Sequence, residues 1–318
     1  MSVRHLISLS LMASLSVSCI DYDVSRKKER ESFDQPGREG GVDILWVIDD
    51  SMSMYEEQEQ LSIHSASFIG FLTTVSVDFR LAVMSTDMDE DGAGVLTGDL
   101  VLSSETSGLV DSFAALITDS IDGSRDERGF EAALDAVDSS LNPDFGREDA
   151  DLEVIFFSDE DDHSSIESDD FVEQLSALRP STTATVNAIV GDLPEGCASM
   201  LAAADPGEKY VEAQEATDGL RESICSYDYD AMLSRMAQHV LGLNVRFALR
   251  KIPDLATVEV KVDGVVIHHR DRHGWWYDAG DNSIVFDGYA VPQPGTSIAI
   301  SYFEWQGMNA PLDTGLTE

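Results

Sequence analysis

Positive charge is scarce in this chain: 20 lysines and arginines stand against 60 aspartates and glutamates, a formal net charge of −40. A field of that sign repels nucleic acid phosphates and anionic lipid surfaces, and it draws divalent cations or basic partners. A solvated acidic surface suited to a saline environment has the same composition, so acidity alone is weak support for cation binding. No nucleic acid partner is expected. Cysteine is scarce too, with Cys19, Cys197 and Cys225 alone. The apolar run near the N-terminus is too short and too serine-rich for a spanning helix, which needs roughly 20 apolar residues. Also missing are a G-x-S-x-G elbow, an H-E-x-x-H pair and a phosphate-cradling loop, so no catalytic residues are assigned and the expectation is a protein that is not an enzyme. There is no internal repeat and no low-complexity run. What is present is ordinary for a packed protein: 43% hydrophobic and 8% aromatic residues over 318 positions, enough for one full α/β domain and a smaller companion.

The N-terminus reads as an address. Arg4 is followed by an apolar stretch from Leu6 to Val17 and then by small residues before Cys19, the layout of a secretory signal over residues 1–18. Ser16-Val17-Ser18-Cys19 resembles the lipobox of bacterial lipoproteins, which implies that Cys19 is the lipidated first residue of the mature protein. Ser16 departs from the aliphatic residue usual there, and ordinary signal cleavage or an uncleaved anchor are the alternatives. Ile20 rather than aspartate follows the cysteine, and the resemblance therefore implies an outer membrane lipoprotein, periplasmic or surface-exposed, touching the membrane through its lipid anchor only. Residues 19–41 are polar and charged and are expected to form a flexible tether.

From Val42 the texture changes. VDILWVID, FRLAVMS, DLEVIFFSD and TATVNAIVG are apolar runs suited to strands buried on both faces. Helical patterns lie between or after them, near 55–75, 108–118, 127–141, 169–178 and 229–241, with a short strand near 100–102. Alternation of this kind predicts an α/β fold over 42–243, a doubly wound and mainly parallel sheet with helices on both faces. Residues 244–305 read differently: short alternating runs separated by Gly, Asp, Asn and Pro predict a small all-β, sandwich-like module, with a hairpin at Asp263-Gly264. Residues 306–318 read as a tail.

Two motifs fall at the carboxyl ends of predicted strands, where open α/β sheets bind ligands. Asp49-Asp50-Ser51-Met52-Ser53 has the pattern D-x-S-x-S, whose carboxylate and hydroxyls alternate around a tight turn and suit a hard cation. Ser158-Asp159-Glu160-Asp161-Asp162 follows the other strong strand; in isolation it is a solvated acidic turn, but beside the first motif Asp159 is placed to share its ion. Together they resemble the metal-ion-dependent adhesion site of von Willebrand factor A (VWA) domains. The resemblance spans about two thirds of the chain, and the stretch from Asp43 to about Leu241 is also similar to predicted A-domain lipoproteins of Gram-negative bacteria. It implies a Rossmann-like VWA fold and one divalent cation, Mg²⁺ foremost with Ca²⁺ or Mn²⁺ as alternatives, held by Asp49, Ser51, Ser53 and Asp159. It further implies a coordination position left for a carboxylate offered by a protein partner. The third loop, Asp122-Gly123-Ser124-Arg125-Asp126-Glu127, lacks the family's threonine; Ser124 is the best match by distance to the next helix, with Glu127 or Asp126 as replacements.

Smaller signals complete the inventory. Cys197 and Cys225 in an exported chain suggest a disulfide, against two separate buried thiols. Asp87, Asp89 and Asp91 ahead of Gly92 match half of an EF-hand-like loop, either a second ion site or an acidic surface loop. His268, His269 and His273 are interspersed with Arg270 and Arg272, which argues against a cation there, and Trp275, Trp276 and Tyr277 read as β-module core. The functional expectation is metal-dependent protein binding or adhesion at the cell envelope. The alternatives are an envelope scaffold with a purely structural ion and, less expected, a metal-dependent hydrolase.

Overall fold

The computed structural model describes residues 26–306 except 39, 76, 89–93, 120–125, 138–139, 201 and 271. The signal segment, Cys19, Ser124, Asp89, Asp91 and the tail beyond 306 lie outside the described residues.

The first described element corrects the expected tether. Lys28–Asp34 is a strand, β1. The α/β part then runs β2 (Gly41–Ile48), α1 (Tyr55–Thr74), β3 (Phe79–Ser85), β4 (Leu102–Ser103), α2 (Leu109–Ile117) and α3 (Gly129–Ala136). It continues with β5 (Ala150–Phe157), α4 (Ser168–Ala177), β6 (Ala184–Val190), the short pair β7 (Cys197–Ala198) and β8 (Ala203–Ala204), and α5 (Glu208–Ala216). It closes with β9 (Arg221–Ser223) and α6 (Tyr229–Val240). The all-β part consists of β10 (Arg246–Ala248), β11 (Glu259–Val262), β12 (Val265–Ile267), β13 (Trp275–Asp278), β14 (Ser283–Phe286) and β15 (Ser297–Phe303).

The central sheet has the order β4-β3-β2-β5-β6-β9. Its pairings are parallel except for the edge strand β4, which runs antiparallel to β3. Alternate residues of β2 serve opposite faces, as strand geometry requires. Ile44, Trp46 and Ile48 join the core under α1, α2 and α6, where Trp46 meets Phe68 edge-on at 5.2 Å between ring centroids. Leu45 and Val47 face α3, α4 and α5, over a cluster of Phe130, Phe156, Phe171 and Tyr210. A sheet covered on both sides explains why these strands read as unbroken apolar runs.

The β-part is two antiparallel sheets, β1-β15-β11-β12 and β10-β14-β13. Phe247 links them, lying 5.3 Å from Phe33 and 5.5 Å from Phe286 between ring centroids. β1 pairs with β15 in register from Lys28↔Phe303 to Asp34↔Ser297, so the module takes an N-terminal strand besides residues 244–305. At the hairpin between β11 and β12 both Asp263 (φ 48°) and Gly264 (φ 81°) are left-handed, the requirement of a two-residue turn that follows strand twist. Trp275 is buried and its Nε1 donates to the Ile267 carbonyl at 2.8 Å, while Trp276 is at the surface.

Candidate functional site

The chain leaves β2 and returns through β3 on one side; after α3 it crosses to β5 on the other. The gap between the ends of β2 and β5 is therefore a topological switch point, where open sheets form a crevice. Register makes the two ends coincide: Ile48 pairs with Phe157, and the Asp49 amide donates to the Phe157 carbonyl at 3.0 Å. Asp49 and the Ser158-Asp159 segment emerge side by side.

Each side chain is held from several directions. Ser51 N–H donates back to Asp49 Oδ1 at 2.9 Å, a local turn that aspartate favours. Ser158 Oγ donates to Asp49 Oδ2 at 2.6 Å, and Gln58 on α1 donates from Nε2 to the Asp49 carbonyl at 2.7 Å. A single turn of 3-10 helix, Met52–Met54, carries the chain into α1 and swings Ser53 back over the strand end. There the Ser51 and Ser53 hydroxyls lie 2.9 Å apart, and Ser53 Oγ donates to Asp159 Oδ1 at 3.4 Å. Asp49, Ser51 and Asp159 are buried, whereas Ser53 is exposed. The structure thus brings together Asp49, Ser51, Ser53 and Asp159.

The rest of the acidic run does other work. Asp162 accepts from the Phe130 amide at 3.0 Å at the start of α3 and from Lys209 Nζ at 3.0 Å. Asp161 accepts from the Lys209 amide at 2.9 Å in the first turn of α5. Carboxylates at helix N-termini satisfy free N–H groups and the positive end of the helix dipole. Of the third-loop candidates, Asp126 faces Arg128 and His163, at 3.7 Å and 3.6 Å. Glu127 is fully buried, with Oε2 accepting a short hydrogen bond from the Thr86 hydroxyl. Asp87 forms an isolated antiparallel bridge with Glu127.

Electrostatics follow from this crowding. Burial, reinforced by the Asp49 charge, pushes Asp159 up to about 7 despite the Ser53 hydroxyl. The same two causes push Glu127 up to about 9, against the Thr86 hydroxyl. Burial pushes Asp50 up to about 6, with Asp87 and Asp49 adding to it and Ser85, which donates at 2.6 Å, opposing it. No lysine or arginine among the described residues forms an ion pair with Asp49, Asp159 or Glu127. Nor do three His, Cys, Asp or Glu side chains among the described residues form a preassembled ligand cluster; the grouping is two carboxylates with two hydroxyls.

Cys197 and Cys225 are joined in a disulfide across a sequence separation of 28, which in the chain-entropy account stabilises by roughly 3 kcal/mol. It ties the β7–β8 hairpin to the segment after β9. At the foot of that hairpin the Asp205 amide donates to the Asp159 carbonyl at 2.8 Å, so the disulfide braces one wall of the site. Sequence reasoning did not single out Gln58, or Ser158 as the partner of Asp49. The one available signal was the position of Ser158 at a strand end beside Asp159.

Among the described residues no helix is long and apolar enough to cross a membrane. The geometry defines an α/β protein with a mostly parallel sheet, additional antiparallel sheets and an oxygen-rich cluster at the sheet's switch point. No family model matches the chain, and no curated protein matches it in sequence. Among solved structures it is similar to the pilus adhesin SpaC from Lactobacillus rhamnosus GG, with TM-score 0.48 and 12% identity over 86% of this chain and 41% of that one. It is also similar to the conserved hypothetical protein BatB from Bacteroides thetaiotaomicron, with TM-score 0.37 and 14% identity over 63% and 97%. A third is proximal thread matrix protein 1 from the mussel byssus, with TM-score 0.41 and 14% identity over 69% and 51%. The chain spans about two fifths of the length of the adhesin.

Proposed function

We propose that this chain is an exported, lipid-anchored cell-envelope protein whose α/β domain is of the von Willebrand factor A type. In this reading it binds one divalent cation, Mg²⁺ foremost with Ca²⁺ or Mn²⁺ as alternatives, through Asp49, Ser51, Ser53 and Asp159. When bound, the cation would allow the domain to hold a partner protein that offers a carboxylate. The observation that supports the reading is the convergence, at the switch point of the sheet, of two hydroxyls 2.9 Å apart with two buried carboxylates that have no basic partner among the described residues. Uncompensated carboxylates beside hydroxyl oxygens are the donor set of a hard cation. The exposed Ser53 side is where a carboxylate of the partner would reach the ion. Cys19 would carry the lipid and place the domain at the outer membrane. No catalytic step is assigned.

Calorimetric titration of the purified full-length chain with Mg²⁺, Ca²⁺ and Mn²⁺, beside Ser51→Ala/Ser53→Ala, tests this directly. Binding of one ion that disappears in the double variant is the expected result; a native protein that binds none of the three removes the reading. The burial of Asp49, Ser51 and Asp159 favours a second reading, in which the ion only ties loops together in an envelope scaffold. The two separate on exchange: an ion that a chelator withdraws freely from the folded protein supports partner capture, and one released only on unfolding supports the scaffold.

A further inference from the structure

Away from the strand ends, an open cleft of about 690 Å³ lies between the helices of the α/β part and the β-part, a volume and a location common for small-molecule sites. One wall is helical: Ser67 of α1 with Asp230 and Ser234 of α6. The other is Arg272 and His273, between β12 and β13, with Tyr289 in the turn after β14.

Close packing sets the second wall. His273 (φ 52°) and Gly288 (φ 55°) are both left-handed, a conformation that glycine adopts freely and most other residues avoid. A Cβ on Gly288 would lie 2.1 Å from His273 Nδ1, so only glycine lets the ring sit there. Nδ1 accepts the Tyr289 amide at 3.3 Å, and an accepting Nδ1 puts the ring proton on Nε2. The Tyr289 ring runs nearly parallel to those of His273 and Phe71, 4.8 Å and 5.8 Å away between centroids, yet Tyr289 is 72% exposed. An aromatic side chain braced in this way meets a ligand with little ordering left to do.

The charges of the cleft are already matched. Asp230 Oδ1 accepts the Ser67 hydroxyl at 2.6 Å and faces His64 Nδ1 at 3.0 Å, and Arg272 is paired with Asp228. The Ser67 hydroxyl, with His64 and Arg272 adding to it, holds the Asp230 carboxyl below its ordinary value. A charged ligand would have to break one of these pairs. A neutral one uses the lone pairs and N–H groups that remain, among them Asp230 Oδ2, to which none of the described residues donates.

We infer that this cleft is a second ligand site and that its ligand is a neutral saccharide, whose ring packs on Tyr289 while its hydroxyls bond to Asp230, Arg272 and Ser234. A sugar offers what the cleft matches: a C–H face for the negative face of an aromatic ring, and hydroxyls that both donate and accept. The site needs no cation and does not depend on the reading of Asp49, Ser51, Ser53 and Asp159. It gives the β-part a task, since neither wall is complete without the other.

The purified full-length chain, held in chelator, is screened on an array of neutral glycans beside sialylated and sulfated ones, and the glycans retained are titrated by calorimetry. The expected result is a neutral glycan that binds without divalent cation. Tyr289→Ala weakens that binding roughly tenfold or more, whereas Tyr289→Trp, which keeps an aromatic face, stays close to the native chain; thermal midpoints show that each variant is folded. Ser51→Ala/Ser53→Ala binds the glycan as the native chain does. The inference is overturned if no neutral glycan is retained, if only charged glycans are, or if Tyr289→Ala binds within about twofold of the native chain. It is also overturned if binding fails in Ser51→Ala/Ser53→Ala, which would assign the glycan to the strand-end site. Cation titration reads that site separately, so failure of either idea leaves the other standing.

Discussion

Packing beside the site is tight at Gly129, where α3 begins. A Cβ there would lie 2.5 Å from Tyr210 Oη and 3.2 Å from Phe156 Cε1. Tyr210 is fully buried against Phe130 and Phe156, so the ring has nowhere to move. Gly129→Ala is expected to destabilise by about 1–3 kcal/mol, the usual cost of overpacking a dense core, read from the urea midpoint. An unchanged midpoint would mean that Tyr210 can swing aside. At this scale the contents of the site were partly legible. Asp49, Ser51 and Ser53 are spaced two residues apart, and a local turn at a strand end makes that spacing meaningful. Gln58 and Ser158 were not legible as partners of Asp49. Ser158 is 109 residues away in sequence, and only the register of β2 with β5 brings them together.

At the scale of elements, the strong apolar strands were plain from pattern, since strands covered on both faces are apolar throughout. β1 was not. Its sequence KERESFD contains one large apolar residue, Phe33, and only Glu31 is buried. It is an edge strand, held by its backbone ladder to β15 and by the contacts of Glu31 with Tyr302 and Arg250. Charged residues on an edge strand discourage pairing with other chains, and the same charges make the segment read as a solvated linker. Removal of residues through Asp34 is expected to lower stability by on the order of 2 kcal/mol or more and to promote self-association, because the β15 edge becomes free. Denaturation midpoints and light scattering would check both effects; a shortened chain that stays monomeric with its midpoint intact would show β1 to be dispensable. The helix α5 was also missed. Its sequence EKYVEAQEA is predominantly polar, and it buries Tyr210, Val211, Ala213 and Gln214.

At the scale of the whole molecule, charge decides the response to pH. The folded Asp159 and Glu127 carboxyls titrate near 7 and 9, above their ordinary values of 3.8 and 4.5. The folded state therefore holds these protons more tightly than the unfolded chain does. Their stabilising contribution is fully present below those ordinary values and is lost as pH rises through about 7 and about 9. A net charge of −40 adds self-repulsion of the same sign as carboxylates ionise. In chelator the thermal midpoint is thus expected to fall steadily from pH 5 to about 9, and saturating divalent cation is expected to restore it at the alkaline end. A metal-free profile that is flat or rises with pH would contradict the burial of uncompensated carboxylates at the site.

What the sequence by itself determined was the alternation of elements, the oxygen-rich turn after the first buried strand and the acidic turn after the later one. Those features are local, written in periodicity and spacing. Which acids of the second turn face the crevice, and which instead serve the starts of α3 and α5, was decided only by tertiary structure. So was the place of β1, in a charged segment expected to be a tether, as an edge strand of the β-module. In each case the deciding interactions are long-range hydrogen bonds and strand registers, and side chains with the same charge and similar neighbours in sequence acquire different partners only when the sheet is assembled.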